Sequence, residues 1–235
     1  MPFHPLDMNI PDNRVLDNVL VKICGTTSSE DAQLAMDAGA NFLGVIIEHS
    51  PSPRSVSLKT AREVSSNCKL PVVAVTVNKS LDELLHINEM LRPFALQLHG
   101  DENPELARQL VNCGLVVWAA CSGEREIAHR RALQMTAAGA QAVLLDARTT
   151  NGGETVYGGT GHTSDWELAR ELRQSGLRVI LAGGLSPDNV QQAIETVRPW
   201  MVDVISGVEA RKGVKDGEKV REFVHRARQS HSSLD

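Results

Sequence analysis

The chain has 235 residues, a net charge of −5, and 42% hydrophobic residues of which few are aromatic. That length fits one sizeable domain with a Val-, Ile-, Leu- and Ala-rich core, suited to buried parallel strands under covering helices. The acidic balance argues against a nucleic-acid partner or a polybasic membrane surface, and no apolar run approaches the ~20 residues of a membrane-spanning helix. Cys24, Cys68, Cys113 and Cys121 form no CxxC pair and no Cys/His cluster of zinc spacing. Reduced thiols, a cytoplasmic location and no structural metal are the expectation. The first 18 residues lack the apolar stretch of a signal peptide.

Short apolar runs alternate with longer amphipathic ones. The first strand is predicted over 19–24 and the first helix over 28–38, capped by Ser28 or Ser29 and ended by Gly39. A strand over 42–47 precedes a helix over 58–67, and Pro51 and Pro53 keep the link irregular. Strands over 71–77, 94–98 and 115–120 are followed by helices over 80–91, 104–112 and 124–137. A strand over 142–146 leads through a long Gly- and Thr-rich loop to a helix over 165–174. Strands over 178–182 and 202–205 precede helices over 187–197 and 216–228. Eight βα units imply a parallel sheet. The count favours a single closed (β/α)8 TIM barrel over 19–235, with an open doubly wound sheet as the alternative. Residues 1–18 read as an N-terminal arm outside it.

In such a barrel, active sites lie at the C-terminal strand ends. This selects Cys24, His99 and Asp146 at the ends of strands 1, 4 and 6, Asp203 in strand 8, and Arg54 in the loop after strand 2. From position alone, Cys24 is either a small buried hydrophobe or a reactive thiol. Asp146 is either a mouth-facing carboxylate or a loop hydrogen-bonder. Arg54 is either a bidentate carboxylate grip or a solvated loop cation. His99 is a base, a pocket wall or a structural hydrogen-bonder, and the other three cysteines read as packing thiols. The turns Gly183-Gly184 and Ser206-Gly207, after strands 7 and 8, allow backbone N–H groups to approach an anion. They point to a phosphate site, although tight turns alone would also need glycine.

Read together, these motifs resemble a family. Lys22-Ile23-Cys24-Gly25-Thr26-Thr27 is similar to the KICG(I/L)T opening of phosphoribosylanthranilate isomerases, and Ser52-Pro53-Arg54-Ser55-Val56-Ser57 to their SPRxV(S/T). Gln97-Leu98-His99-Gly100-Asp101-Glu102 matches QLHG(D/N)E. Leu144-Leu145-Asp146, with Gly158-Gly159-Thr160-Gly161 and Asp165-Trp166, resembles LLD…GGTG…DW. Leu181-Ala182-Gly183-Gly184-Leu185, Asp203-Val204-Ile205-Ser206-Gly207-Val208-Glu209 and Lys212-Gly213-Val214-Lys215-Asp216 resemble LAGGL, DVSSGVE and PGxKD. The likeness runs from about Val21 to Phe223.

The resemblance implies a barrel of the ribulose-phosphate-binding type and an Amadori rearrangement of N-(5-phosphoribosyl)anthranilate in tryptophan biosynthesis. Cys24 would be the general base and Asp146 the general acid. Arg54 would hold the anthranilate carboxylate, Asp203 a sugar hydroxyl, and Gly183, Gly184, Ser206 and Gly207 the phosphate, with His99 at the substrate. Asp146 would have to keep its proton near neutrality and Cys24 would need a thiolate fraction. Proton transfer needs no cofactor and no metal. The partner expected is a phosphorylated small molecule, bound by a free-standing monomer or homodimer. The competing readings are another phosphosugar isomerase or epimerase, and a non-catalytic barrel that binds a phosphorylated ligand. Ile205, Ser164, the less aromatic Val45-Ile46-Ile47-Glu48 and the extended loop over 147–158 depart from the family pattern.

Overall fold

A computed structural model describes residues 19–146, 149–151, 154–156 and 165–229. The expected arm, residues 1–18, lies outside these, as do Gly158–Gly161 and Ser164. Eight parallel strands form the barrel: β1 (Leu20–Ile23), β2 (Phe42–Ile47), β3 (Val72–Thr76), β4 (Ala95–Leu98), β5 (Val117–Cys121), β6 (Ala142–Leu145), β7 (Val179–Leu181) and β8 (Met201–Val204). Each pairs with the next, and β1 pairs with both β8 and β2, so the sheet closes. The open-sheet alternative is thereby excluded.

A helix follows each strand: α1 (Ser29–Ala38), α2 (Leu58–Ser66), α3 (Leu81–Leu91), α4 (Pro104–Asn112), α5 (Arg125–Ala137), α6 (Trp166–Gln174), α7 (Val190–Val197) and α8 (Gly217–Gln229). Their starts follow from local chemistry. Ser28, Ser57, Ser80, Asn103 and Asp165 each accept an otherwise orphaned N–H of the first turn. Ser80 and Glu83 do so reciprocally. Gly39 ends α1 in the left-handed region at φ 82°.

Strand residues alternate between two cores. Ile23, Leu43, Val45, Leu96, Leu98, Val202 and Val204 point outward and pack under the helices. Phe42, Val73, Ala95, Trp118, Ala120, Leu144, Ile180 and Met201 point inward and fill the barrel. Trp118 is the centre of its floor. It meets Phe42, Phe94 and Trp200 edge to face, at centroid distances of 5.5, 6.0 and 5.7 Å.

Smaller elements at the strands' C-terminal ends were not anticipated. Ser55–Val56 adds a parallel rung to the end of β2. Thr149–Asn151 pairs with Glu154–Val156 within the Gly- and Thr-rich loop. After β8, a 3-10 turn over Ser206–Val208 leads into a hairpin of Glu209–Arg211 and Val214–Lys215.

Trp118 is fully buried, so Trp118→Ala removes a large ring that the surrounding β-barrel cannot collapse to replace. Urea unfolding should show a loss of about 3–5 kcal/mol. A loss within 1 kcal/mol, on the same scale, would mean that the floor does not hold the barrel together.

Candidate active site

The inward alternation continues above the floor and changes from apolar to polar. β1 contributes Lys22 and then Cys24, β4 contributes Gln97 and then His99, β6 ends at Asp146, and β8 contributes Asp203. These groups lie at the C-terminal mouth, where the fold places chemistry.

Cys24 is buried, packed with Ile46, Val75 and Ile205. Gly44 on β2 makes its place: a Cβ there would lie 2.5 Å from the Cys24 Sγ and 3.0 Å from the Lys22 Cε. Lys22 is fully buried, and its ammonium donates to Asp203 Oδ1 at 2.9 Å. The β1–β8 register sets Lys22 directly opposite Asp203. Burial pushes the Cys24 thiol up and the Asp203 carboxylate pushes it further, while Lys22 and Lys215 pull it down without prevailing. The unliganded site therefore disfavours the thiolate. Burial alone would lower the Lys22 ammonium, but the Asp203 carboxylate beside it outweighs burial and holds the group above the usual lysine value, so it stays charged.

Asp146 sits across the mouth and is held by His99, whose Nε2 lies 3.2 Å from Asp146 Oδ2. Gln97 donates through its amide nitrogen to His99 Nδ1 at 2.9 Å. Nδ1 therefore accepts, and the ring proton sits on Nε2, aimed at the carboxylate. The Gln97 Oε1 is buried without a partner among the described residues. His99, Asp146, Gly183, Gly184, Asp203 and Ser206 line one pocket.

Arg54 is not a solvated loop cation. It is buried and grips Glu209 through Nε and Nη2, both at 2.8 Å. Lys215 lies 3.6 Å from Glu209 Oε1, and its ammonium donates to the Ile205 carbonyl. Asp31 on α1 fixes Lys215 by accepting its backbone N–H at 3.0 Å. The hairpin after β8 thus binds the β2 loop to the β8 end through buried charges.

The two glycine turns meet at the far rim. Gly183 and Gly184 have φ of 80° and 65°, so their N–H groups turn as few other residues allow. Gly207 packs so closely on the β7 loop that a Cβ would fall 2.0 Å from the Leu185 carbonyl oxygen. The N–H groups of Gly183, Gly184 and Ser206 have no acceptor among the described residues.

The sequence profile of N-(5'-phosphoribosyl)anthranilate isomerase matches residues 21–226. The chain belongs to that isomerase family. Curated relatives of the same name are 37% identical in Trichlorobacter lovleyi, over 90% of this chain and 99% of that one, and 41% identical in Thermotoga neapolitana, over 89% and 98%. A phosphoribosylanthranilate isomerase crystal structure from Thermotoga maritima superposes with a TM-score of 0.79 at 36% identity, covering 89% of this chain and 98% of that one. A second isomerase structure, in complex with reduced 1-(o-carboxyphenylamino)-1-deoxyribulose 5-phosphate, superposes with a TM-score of 0.76 at 34% identity, covering the same shares.

Against the family motifs, Cys24, His99, Asp146 and Asp203 gather around the mouth, and Arg54 stands beside Gly25 and Ile205 at its edge. Four further residues escaped the motif reading as parts of the site: Lys22, Gln97, Glu209 and Lys215. Glu102 of the QLHG(D/N)E motif is structural, since it accepts the N–H groups of Asn78 and Gly100. Cys121 is buried and Cys68 packs partly on the core, but Cys113 is exposed at the end of α4 and is not a packing thiol. Among the described residues no His, Cys, Asp and Glu side chains converge as metal ligands, and no helix is long and apolar enough to cross a membrane.

Burial alone would raise the Glu209 carboxyl, but Arg54, Lys215 and the Gly213 N–H outweigh it and hold it below its ordinary value. A carboxyl depressed on folding stabilises the protein above its unfolded-chain pKa of about 4.3, and that stabilisation disappears as pH falls through the folded value. The stability advantage of wild type over Glu209→Gln should therefore be full at neutral pH and shrink below about pH 4.5. Thermal unfolding of both across that range reads it. A constant difference would show that the Arg54 pair does not set the acid sensitivity.

Proposed function

We infer that this chain converts N-(5'-phosphoribosyl)anthranilate into 1-(2-carboxyphenylamino)-1-deoxyribulose 5-phosphate, the isomerisation step of tryptophan biosynthesis. The observation that carries this is the family match across the whole barrel, with Cys24 and Asp146 at the inward ends of β1 and β6. The substrate is a phosphorylated small molecule. The protein acts as a monomer or a homodimer; the Thermotoga maritima relative is dimeric.

Asp146, as general acid, gives its proton to the furanose ring oxygen. The C1′–O bond breaks as the anthranilate nitrogen lone pair forms a C=N bond, leaving a protonated imine. Cys24, as general base, takes the C2′ proton. The C–H electrons form the C1′–C2′ double bond, and the imine π pair returns to nitrogen. The resulting enolamine loses its hydroxyl proton and gains one at C1′, which yields the ketone. The positive charge on the imine favours the thiolate that the unliganded site disfavours, so substrate itself assists the base. His99 keeps Asp146 aimed into the pocket.

Recognition follows the same geometry. The N–H groups of Gly183, Gly184 and Ser206, which have no acceptor among the described residues, hold the phosphate together with the Gly207 turn, and the positive φ of Gly183 and Gly184 turns their N–H groups toward it. Asp203 uses its remaining oxygen for a sugar hydroxyl. Arg54 engages Glu209 through Nε and Nη2, which leaves Nη1 for the anthranilate carboxylate and pre-orders the guanidinium for it.

The fluorescence of the anthranilate substrate falls as it isomerises, and this reports turnover. Cys24→Ser and Asp146→Asn should each lower kcat by at least ~100-fold, the scale of acid–base contributions. Near wild-type turnover in either would remove that residue from its role.

The phosphate site has a separate test. Gly184→Asp should weaken calorimetric binding of inorganic phosphate by ~10-fold or more, because a carboxylate repels the anion. Gly184→Asn, of the same shape and equally able to hold a positive φ, should lose far less. Equal losses would place the phosphate elsewhere.

A further inference from the structure

Buried lysines are uncommon, and Lys22 stands in the middle of the barrel with no exposed surface. A methionine or leucine would fill that volume without the cost of taking two charges out of water. The charge therefore calls for a use beyond filling space. Two residues on, along the same inward face of β1, is Cys24. The two side chains crowd the same spot, since a single Cβ on Gly44 would touch both the Cys24 Sγ and the Lys22 Cε. On its other side, the ammonium is tied to Asp203 at 2.9 Å.

We propose that Lys22 is a positioning residue for the isomerisation: held by Asp203, its ammonium is the counter-charge that lets Cys24 carry a thiolate inside the barrel. This rests on the reading of Cys24 as the base. The charged groups that face Cys24 come from each neighbouring element: Lys22 from β1, Asp203 from β8, Lys215 from the hairpin after β8, and Arg54 from the loop after β2. The cations favour the thiolate, whereas burial and Asp203 oppose it. Asp203 therefore has two opposing effects. It keeps Lys22 in place, and its own negative charge restrains the sulfur. Only its Oδ1 is engaged by Lys22. A sugar hydroxyl that donates to the other oxygen spreads that carboxylate's charge and leaves more of the Lys22 field on the sulfur. Substrate arrival and base strength are coupled through one ion pair.

The test follows Cys24 ionisation by the ultraviolet absorbance of the thiolate, as a difference against the same protein carrying Cys24→Ser. Asp203→Asn should lower the titration midpoint by on the order of one pH unit, because the restraining charge is gone and the thiolate replaces Asp203 as the counter-ion of the buried Lys22 ammonium. Adding Lys22→Met to Asp203→Asn should raise it again by a similar amount. That double variant strands no buried charge, so it reports on Lys22 even if Lys22→Met alone fails to fold. Lys22→Arg in the wild-type background should keep the midpoint near its original place. Identical midpoints in Asp203→Asn and in the double variant would overturn the proposal, as would a midpoint raised by Asp203→Asn. These titrations involve no substrate. If Cys24→Ser turns over normally while the midpoints move as stated, the ion pair acts on the thiol but the assignment of Cys24 as base is wrong.

Discussion

Lys22 carries a full charge at the axis of a closed barrel, 2.9 Å from Asp203, and much of the mouth is arranged around keeping that charge dry. Water cannot solvate it there, so the register of β1 against β8 has to deliver a carboxylate directly opposite. A slip of one residue in either strand would turn one partner outward among the helices and leave the other buried alone, at a cost of several kcal/mol. The ion pair thus reinforces the pairing that closes the barrel. It also marks the boundary between a floor of aromatic and aliphatic side chains and a polar mouth.

Above that boundary, rigidity comes from charges shared between loops. The Arg54–Glu209 pair, with Lys215 and Asp31 behind it, connects the β2 loop, the hairpin after β8 and the start of α1. Arg131 does the same on the far side, donating to the carbonyls of Ala120, Glu102 and Gly100. Most of these bonds join segments distant in sequence, so they constrain the mouth in a way that helix caps cannot. A mouth whose polar side chains come from four different strands gains from such pre-ordering, because less freedom remains to be lost when ligand binds.

The barrel was legible because each strand and helix declared itself locally. Apolar runs of strand length and amphipathic runs of helix length, with a serine cap and Gly39 bracketing α1, placed most boundaries within two residues, and the start of α7 came three residues later than expected. The inward position of Cys24 and Asp146 followed from their place at strand ends. Lys22 could also have been found: a lysine inside an apolar strand, in phase with Cys24, must face the same way. The partner of Arg54 could not. Glu209 is 155 residues away, and nothing in either segment encodes the loop path that brings them together. The fate of Glu102 was hidden for the same reason, since a carboxylate that accepts backbone N–H groups of neighbouring loops looks in sequence like any other acidic loop residue.

Gly44 sets function against stability at a single position. A glycine in a central strand adds backbone entropy to the unfolded chain and gives nothing to pack, a penalty of roughly 0.5–1 kcal/mol relative to alanine. Any β-former at that site would be the natural choice for a stronger barrel. Yet even one methyl group there would overlap the Cys24 sulfur. The other positions of β2 are already filled by buried Phe, Leu, Val and Ile side chains, and the stability forgone at Gly44 is the room in which the thiol sits.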